Sequence, residues 1–97
     1  MHVVIPLFFR APLGGLQAHV RAQSLALRGA GHTCTVLCKP GPFANELASL
    51  GVEVAETDFT SPDDSADRVD HLDRIDLVHA HPFASRRAGL EIARRRG

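Results

Sequence analysis

The run Val3-Val4-Ile5-Pro6-Leu7-Phe8-Phe9 passes through Arg10-Ala11-Pro12-Leu13 into Gly14-Gly15 and on into a helical pattern from Leu16 to Arg28. An apolar run without alternation is the pattern of a strand buried on both faces, as in a parallel sheet. Glycines between such a strand and the next helix leave backbone N–H groups uncovered at the positive end of the helix, where phosphate is favoured. The loop from Arg10 to Gly15 is therefore the leading candidate site, with the N–H groups of Gly14, Gly15 and Leu16 as an anion cradle.

Three further strand-then-helix units follow. Thr33 to Cys38 is a second continuous apolar run, closed by the turn Lys39-Pro40-Gly41-Pro42. Phe43, Leu47 and Leu50 then repeat at helical spacing, and Gly51 ends that short helix. Val52-Glu53-Val54-Ala55-Glu56 alternates, as an edge strand packed on one face does. Ser61-Pro62-Asp63-Asp64 is a helix start, with a hydroxyl cap, proline at the first position and acids in the first turn. Ala66, Val69 and Leu72 form its apolar stripe. Ile75 to His79 reads as the fourth strand and Ala84 to Arg96 as the fourth helix, with Ser85, Ala88 and Ile92 inward.

This alternation predicts a single α/β domain over residues 1–97: a Rossmann-like parallel sheet with helices on both faces. Right-handed crossovers favour the strand order 3-2-1-4. The switch point then lies between strands 1 and 4, where ligands bind outside the carboxyl ends. Two loops meet there, Arg10 to Gly15 and Ala80 to Ser85. In the first helix Gln17, Arg21, Ser24 and Arg28 form a narrow polar stripe, which predicts that this line faces solvent and the remainder is buried. Gly29 and Gly31 close that helix.

The formal net charge of +0 provides no global field to recruit nucleic acid or membrane. The charges are nevertheless segregated: seven aspartates lie between Asp58 and Asp76, and five arginines between Arg86 and Arg96. Cys34 and Cys38 share one side of a strand but, at roughly 3.3 Å per residue, are too far apart to bridge, so they read as core thiols of a reduced protein. No basic leader precedes the first apolar run, and no run approaches the ~20 residues that span a bilayer. The chain reads as cytoplasmic, at most peripheral to a membrane.

Several motif readings fail on their own terms. Gly-x-Gly-x-x-Gly is absent and no acid follows the second strand to take a ribose, so the first loop is not the dinucleotide fingerprint. Without Lys-Ser/Thr after the glycines it is not a P-loop either. The plainer alternative is a tight turn that only lets strand and helix pack. His79-Ala80-His81-Pro82 sets two imidazoles at a strand's carboxyl end, a spacing that suits zinc or a proton carrier. A third ligand is not in view, so no metal or cofactor is expected; the two imidazoles either contact a sugar or phosphate, or are a hydrogen-bonded loop residue at His81 and a packed strand end at His79. His19, one turn past the glycines, either faces the cleft or bonds a carbonyl in the core, and the second reading is preferred. Arg86 and Arg87 stand in the first turn of the fourth helix, where a cation opposes the helix dipole; an anion nearby would explain them, and solvated surface arginines are the more common answer. The aspartate-rich helix reads as a solvated face, lacking the loop of an EF-hand. No Ser-His-Asp or Cys-His order can be assembled, with Cys38 alone near the crevice.

Three segments together resemble the N-terminal, acceptor-side domain of GT-B glycosyltransferases of the family 4 type. They are Gly14-Gly15-Leu16-Gln17-Ala18-His19-Val20, the run from Leu25 to Leu37 through Arg28-Gly29-Ala30-Gly31-His32, and Ile75-Asp76-Leu77-Val78-His79-Ala80-His81. The resemblance covers nearly the whole chain. It implies a retaining transfer of a hexose from a nucleotide diphosphate to a hydroxyl acceptor. It sets Gly14, Gly15 and Leu16 against the donor diphosphate, and Arg10, His79, His81 and Arg86 along the acceptor cleft. Gln17 stands where many relatives carry Glu. Relatives continue with a further strand and a second domain that holds the nucleotide-sugar, so the resemblance implies a truncated half of the N-terminal domain, inactive alone. It also implies an open edge along Ile75 to His79 through which copies self-associate. The other readings are a free-standing Rossmann-like module that binds a phosphorylated ligand or a protein without catalysis, and an inverting GT-B enzyme.

Overall fold

A computed structural model describes residues 1–7, 15–72, 74–79 and 84–96, leaving out the side chains of Leu16, Ala84 and Ser85. The chain alternates as read: β1 (His2–Leu7), α1 (Gly15–Gly29), β2 (Thr33–Cys38), α2 (Pro42–Ser49), β3 (Glu53–Glu56), α3 (Pro62–Asp67), β4 (Leu77–Val78) and α4 (Ala84–Arg96). The four strands form one parallel sheet in the order β3-β2-β1-β4. This is the Rossmann-like order expected, with β3 at the margin. Phe8 and Phe9, expected at the end of the first strand, lie outside the described residues.

The period of two sorts the strand residues between two apolar layers. Val3, Ile5 and Leu7 of β1 join Cys34, Val36 and Cys38 of β2 in one cluster, which is closed by Val20 of α1 and Phe43, Ala44 and Leu47 of α2. Val4 and Leu37 point the other way, into a cluster with Ala66, Val69, Ala88 and Ile92 from the α3 and α4 side. β1 is thus covered on both faces, and that is why it carries no polar residue from Val3 to Leu7.

α1 is rotated from the orientation its polar stripe predicts. Gln17 and Ser24 are buried along with Val20, whereas Leu25, at 37% exposure, and Ala18, Ala22 and Ala26 face solvent. The supposed outer stripe is the side that meets α2. Arg21 pairs with Glu46 and lies over the Phe43 ring, 6.0 Å from its centroid. Arg28 donates to the Leu50 carbonyl at 2.9 Å. Long basic side chains can cover apolar surface with their stems and reach a partner with their heads, so a polar line can serve as a helix–helix seam. Leu50, expected in the apolar repeat of α2, is instead exposed at its C-cap.

Both helices on this face end in the same way. Gly31 has φ +87° and Gly51 φ +83°, each at the C′ position. His32 N–H reaches back to the Leu27 carbonyl at 2.9 Å, and Val52 N–H to the Leu47 carbonyl at 3.0 Å. These are Schellman closures that turn the chain straight into β2 and β3. Gly29, by contrast, is the last helical residue and needs no special conformation.

α3 begins as read: Ser61 Oγ accepts from Asp64 N–H at 3.0 Å, and Pro62 is the first helical residue. It stops at Asp67, so Val69 and Leu72 pack from the turns that follow. The acids here are not merely solvated, because Asp63 and Asp67 of α3 and Asp70 of the following turn all converge on Arg95 of α4, which also meets Glu91. Arg94 and then Arg95 hold the Glu91 carboxyl down to about 2. β4 is shorter than the sequence suggests. Only Leu77 and Val78 pair with Val3 and Val4, extended at either side by Asp76 N–H to His2 O and His79 N–H to Val4 O, both 2.9 Å.

The two closing glycines offer a matched test of the seam. Gly31→Ala costs about 1–2 kcal/mol, since a Cβ in the left-handed region is strained and nothing else crowds it. Gly51→Ala costs more by about 0.5–1.5 kcal/mol, because its Cβ would come 2.9 Å from Arg28 Nη1 and displace it from the Leu50 carbonyl. Urea-melt midpoints of the two variants check the ranking; equal losses would mean that the Arg28 contact contributes nothing.

Candidate functional site

β1 lies between β2 and β4, and α1 after β1 covers one face of the sheet while α4 after β4 covers the other, so the topological switch point lies at the carboxyl ends of these two strands. The start of α1 and the exit of β4 border it. Gly15 is the first residue of α1 and is exposed. Its φ is not positive, and a Cβ added there meets nothing within 4 Å among the described residues. Among the described residues, neither backbone strain nor packing calls for a glycine at this point. Space at the helix N-terminus, where N–H groups lack intrahelical partners, is what its small size provides.

His19 and Gln23 follow on α1 at i and i+4, one above the other on the same face. They meet the exit of β4. Gln23 Nε2 lies 2.9 Å from His79 Nδ1, and the His19 ring sits edge-on to the His79 ring with centroids 6.5 Å apart at 64°. His19 is exposed, so the expectation that it bonds within the core is corrected: the rotation of α1 that buries Gln17 and Ser24 swings His19 to the crevice side. His79 is half-buried, with its backbone fixed on Val4.

Of the sequence-derived site residues, Gly15 opens α1 and His79 meets the same helix two turns further on, at Gln23. Arg86 is exposed in the opening turns of α4 and forms no hydrogen bond or ion pair among the described residues. Arg10, Gly14 and His81 lie outside the described residues, as does the Leu16 side chain. Gln17, at the position where the resemblance implies Glu, is buried at 6% exposure. Gln23 was missed by the sequence reading. Its signal was the spacing of four from His19, which puts both on whichever face turns to the crevice.

Among the described residues no three His, Cys, Asp or Glu side chains group to hold a metal ion. No described helix is long and apolar enough to cross a membrane. Both cysteines are free and buried. Burial, aided by Glu53, pushes the Cys34 thiol up to about 11, and burial aided by Glu56 pushes Cys38 up to about 12. Neither is a thiolate nucleophile at neutral pH.

These features define a Rossmann-like α/β domain in which the Gln23 amide and the His19 and His79 imidazoles meet at the switch point. No protein-family model matches the chain, and neither a curated protein nor a solved structure matches it.

The thiols provide a check on the core beside this crevice. At pH ~8 native protein is expected to react with iodoacetamide at least about a hundredfold more slowly than the urea-unfolded chain, as the thiolate is the reacting species. Mass spectrometry counts the adducts. Rapid labelling of Cys38 in native protein would place it at the open end of β2.

Proposed function

We propose that this chain forms the acceptor-side part of a retaining GT-B glycosyltransferase of the family 4 type, in which a hexose passes from a nucleotide diphosphate to a hydroxyl. The observation that carries the reading is the joining of α1 to the exit of β4 at the switch point, through Gln23 and His79. The sequence resemblance sets the donor diphosphate at one of these segments and the acceptor at the other. In this reading the diphosphate lies at the N-terminus of α1, over Gly14, Gly15 and Leu16. The acceptor cleft runs along Arg10, His79, His81 and Arg86. Arg86 and Arg87 fit the reading as cations that an anionic group would balance against the helix dipole. The nucleotide itself is held, in enzymes of this family, by a second domain, so the chain by itself binds diphosphate weakly and turns nothing over.

Amide NMR titrations with UDP, GDP and inorganic diphosphate test this directly. The expected shifts are confined to Gly14, Gly15, Leu16 and the residues around His79, and a preference between UDP and GDP identifies the donor. Gly15→Ala is the decisive variant, since the added methyl meets no protein atom within 4 Å among the described residues. It is expected to leave the melting temperature unchanged or raise it slightly, as helical Gly→Ala changes contribute roughly 0.4–1 kcal/mol where no strain arises. It is expected to abolish the shifts. Full retention of binding would return Gly15 to the role of a simple turn. Equal shifts with inorganic phosphate and every nucleotide would favour a general phosphate-binding module.

The same reading includes a partner for the outer side of β4. A groove of about 370 Å³ runs there between Ile75, Asp76, Leu77, Val78, Ala93 and Arg96, with Leu77 at 50% exposure. Unpaired strand groups beside such a surface favour edge pairing. Sedimentation is expected to show concentration-dependent dimers that Leu77→Lys returns to monomers; monomers at millimolar concentration would remove the edge from consideration.

A further inference from the structure

Little backbone sets β4 on β1. Leu77 and Val78 pair with Val3 and Val4, and the Val4 carbonyl holds His79 N–H. At the other end of the strand a side chain completes the pairing. His2 N–H donates to Asp76 Oδ2 at 2.7 Å, while Asp76 N–H donates to the His2 carbonyl at 2.9 Å, so the two residues grip one another reciprocally. A regular parallel ladder would offer the His2 N–H a backbone carbonyl, which does not titrate. Here the acceptor is a carboxylate, which makes a stronger bond than a neutral oxygen and is weakened when a proton arrives. Its second oxygen accepts from Arg74 Nε at 2.6 Å. Asp76 is exposed at the sheet margin, so protons reach it without prior unfolding.

We infer that the Asp76 carboxylate is an acid-operated fastening for β4: ionised, it sets the strand on β1, and protonated, it lets the strand and His79 open while the β1–β2 ladder stays closed. The surroundings favour the ionised form. Among the described residues, the charged and titratable groups that share its groove are Arg74, the His2 imidazole and the Met1 amino group. The imidazole is engaged by Thr33 Oγ1 at 2.6 Å and Thr35 Oγ1 at 2.9 Å. The His2 N–H first, and the Arg74 guanidinium second, hold the Asp76 carboxyl below its ordinary value. A carboxyl made more acidic by folding stabilises the fold above its unfolded pKa near 3.9, and that contribution is lost as pH falls through the folded value. The fastening is therefore shut at neutral pH and opens in acid. By linkage, each tenfold gain in acidity on closing is a tenfold increase in opening on protonation. Asp63, Asp67, Asp70 and Glu91 around Arg95 form a second acid-sensitive contact, between α3 and α4, which a test must separate from Asp76. The fastening belongs to the ligand-free chain and does not depend on the sugar-transfer reading.

An NMR titration from pH ~5, below the ordinary imidazole range near 6.5, down to pH ~2 reads both halves of the inference. The Asp76 carboxyl ¹³C shift follows the proton, and amide hydrogen exchange, corrected for intrinsic rate, follows the opening. Asp76 is expected to titrate below pH ~3.9. Protection at the Asp76 and His79 amides is expected to fall in step, by the same fold-change as the gain in acidity, while the amides between β1 and β2 keep theirs. Asp76→Asn, a neutral isostere, is expected to show the acid-limit exchange of His79 already at pH ~5, with no further fall. Arg74→Gln, at a side chain 80% exposed, leaves the His2 contact in place and is expected to move both the titration and the loss of protection to higher pH. An Asp76 that titrates at the ordinary value overturns the inference, as does loss of β1–β2 protection together with that of His79. A fall at His79 that persists in Asp76→Asn also overturns it, and assigns the acid response to the carboxylates around Arg95.

Discussion

Everything in this chain hangs on the burial of β1 from both faces. A strand paired on both sides and covered above and below has no exposed polar edge, which demands an unbroken apolar run and gives Val3 to Leu7 their composition. It also forces the chain to leave the sheet at the carboxyl end of β1 and return on the far side. The crevice is a product of that detour, and the helix that makes it is the one whose N-terminus opens at Gly15. The site follows from topology before any side chain is considered.

The two helical layers are attached by different chemistry. On one side α1 and α2 share an apolar cluster, with Arg21 and Arg28 reaching across to Glu46 and the Leu50 carbonyl. On the other, Arg95 gathers Asp63, Asp67, Asp70 and Glu91 at the outer margin of the α3–α4 contact. The abundance of arginine finds much of its explanation here. Its forked guanidinium satisfies several carboxylates or carbonyls at once, as lysine's point charge does not. Exposed pairs of this kind contribute little individually, so the apolar layers beneath them still decide stability.

Element order, strand identity, sheet order and helix starts were legible because each rests on a local rule: a continuous apolar run, a glycine at C′, a hydroxyl cap before proline. The orientation of α1 was not. Its polar line Gln17, Arg21, Ser24 and Arg28 has the right period, but period alone does not say which side faces in when the neighbour across the seam is another helix offering a carboxylate and a carbonyl. That single rotation explains both the misplaced His19 and the unseen Gln23. The fate of the aspartates was illegible for a similar reason, since Arg95 lies 25 residues or more along the chain from each of them. β4 read too long because apolar character reaches Ile75, whereas the backbone pairs only where β1 is alongside.

The brevity of β4 has a consequence for how the molecule comes apart. Among the described residues six pairs join β1 to β2 and two join β1 to β4, with a hydrogen bond on either flank. The segment from β4 through α4 is accordingly the half that loosens at the least energetic expense, while α1, β1 and β2 persist as a unit. The crevice straddles that boundary, since Gly15, His19 and Gln23 belong to the firm half and His79 to the weaker one. Any occupant that touches both sides works as a clasp, and its binding free energy is delivered where the fold has least of its own.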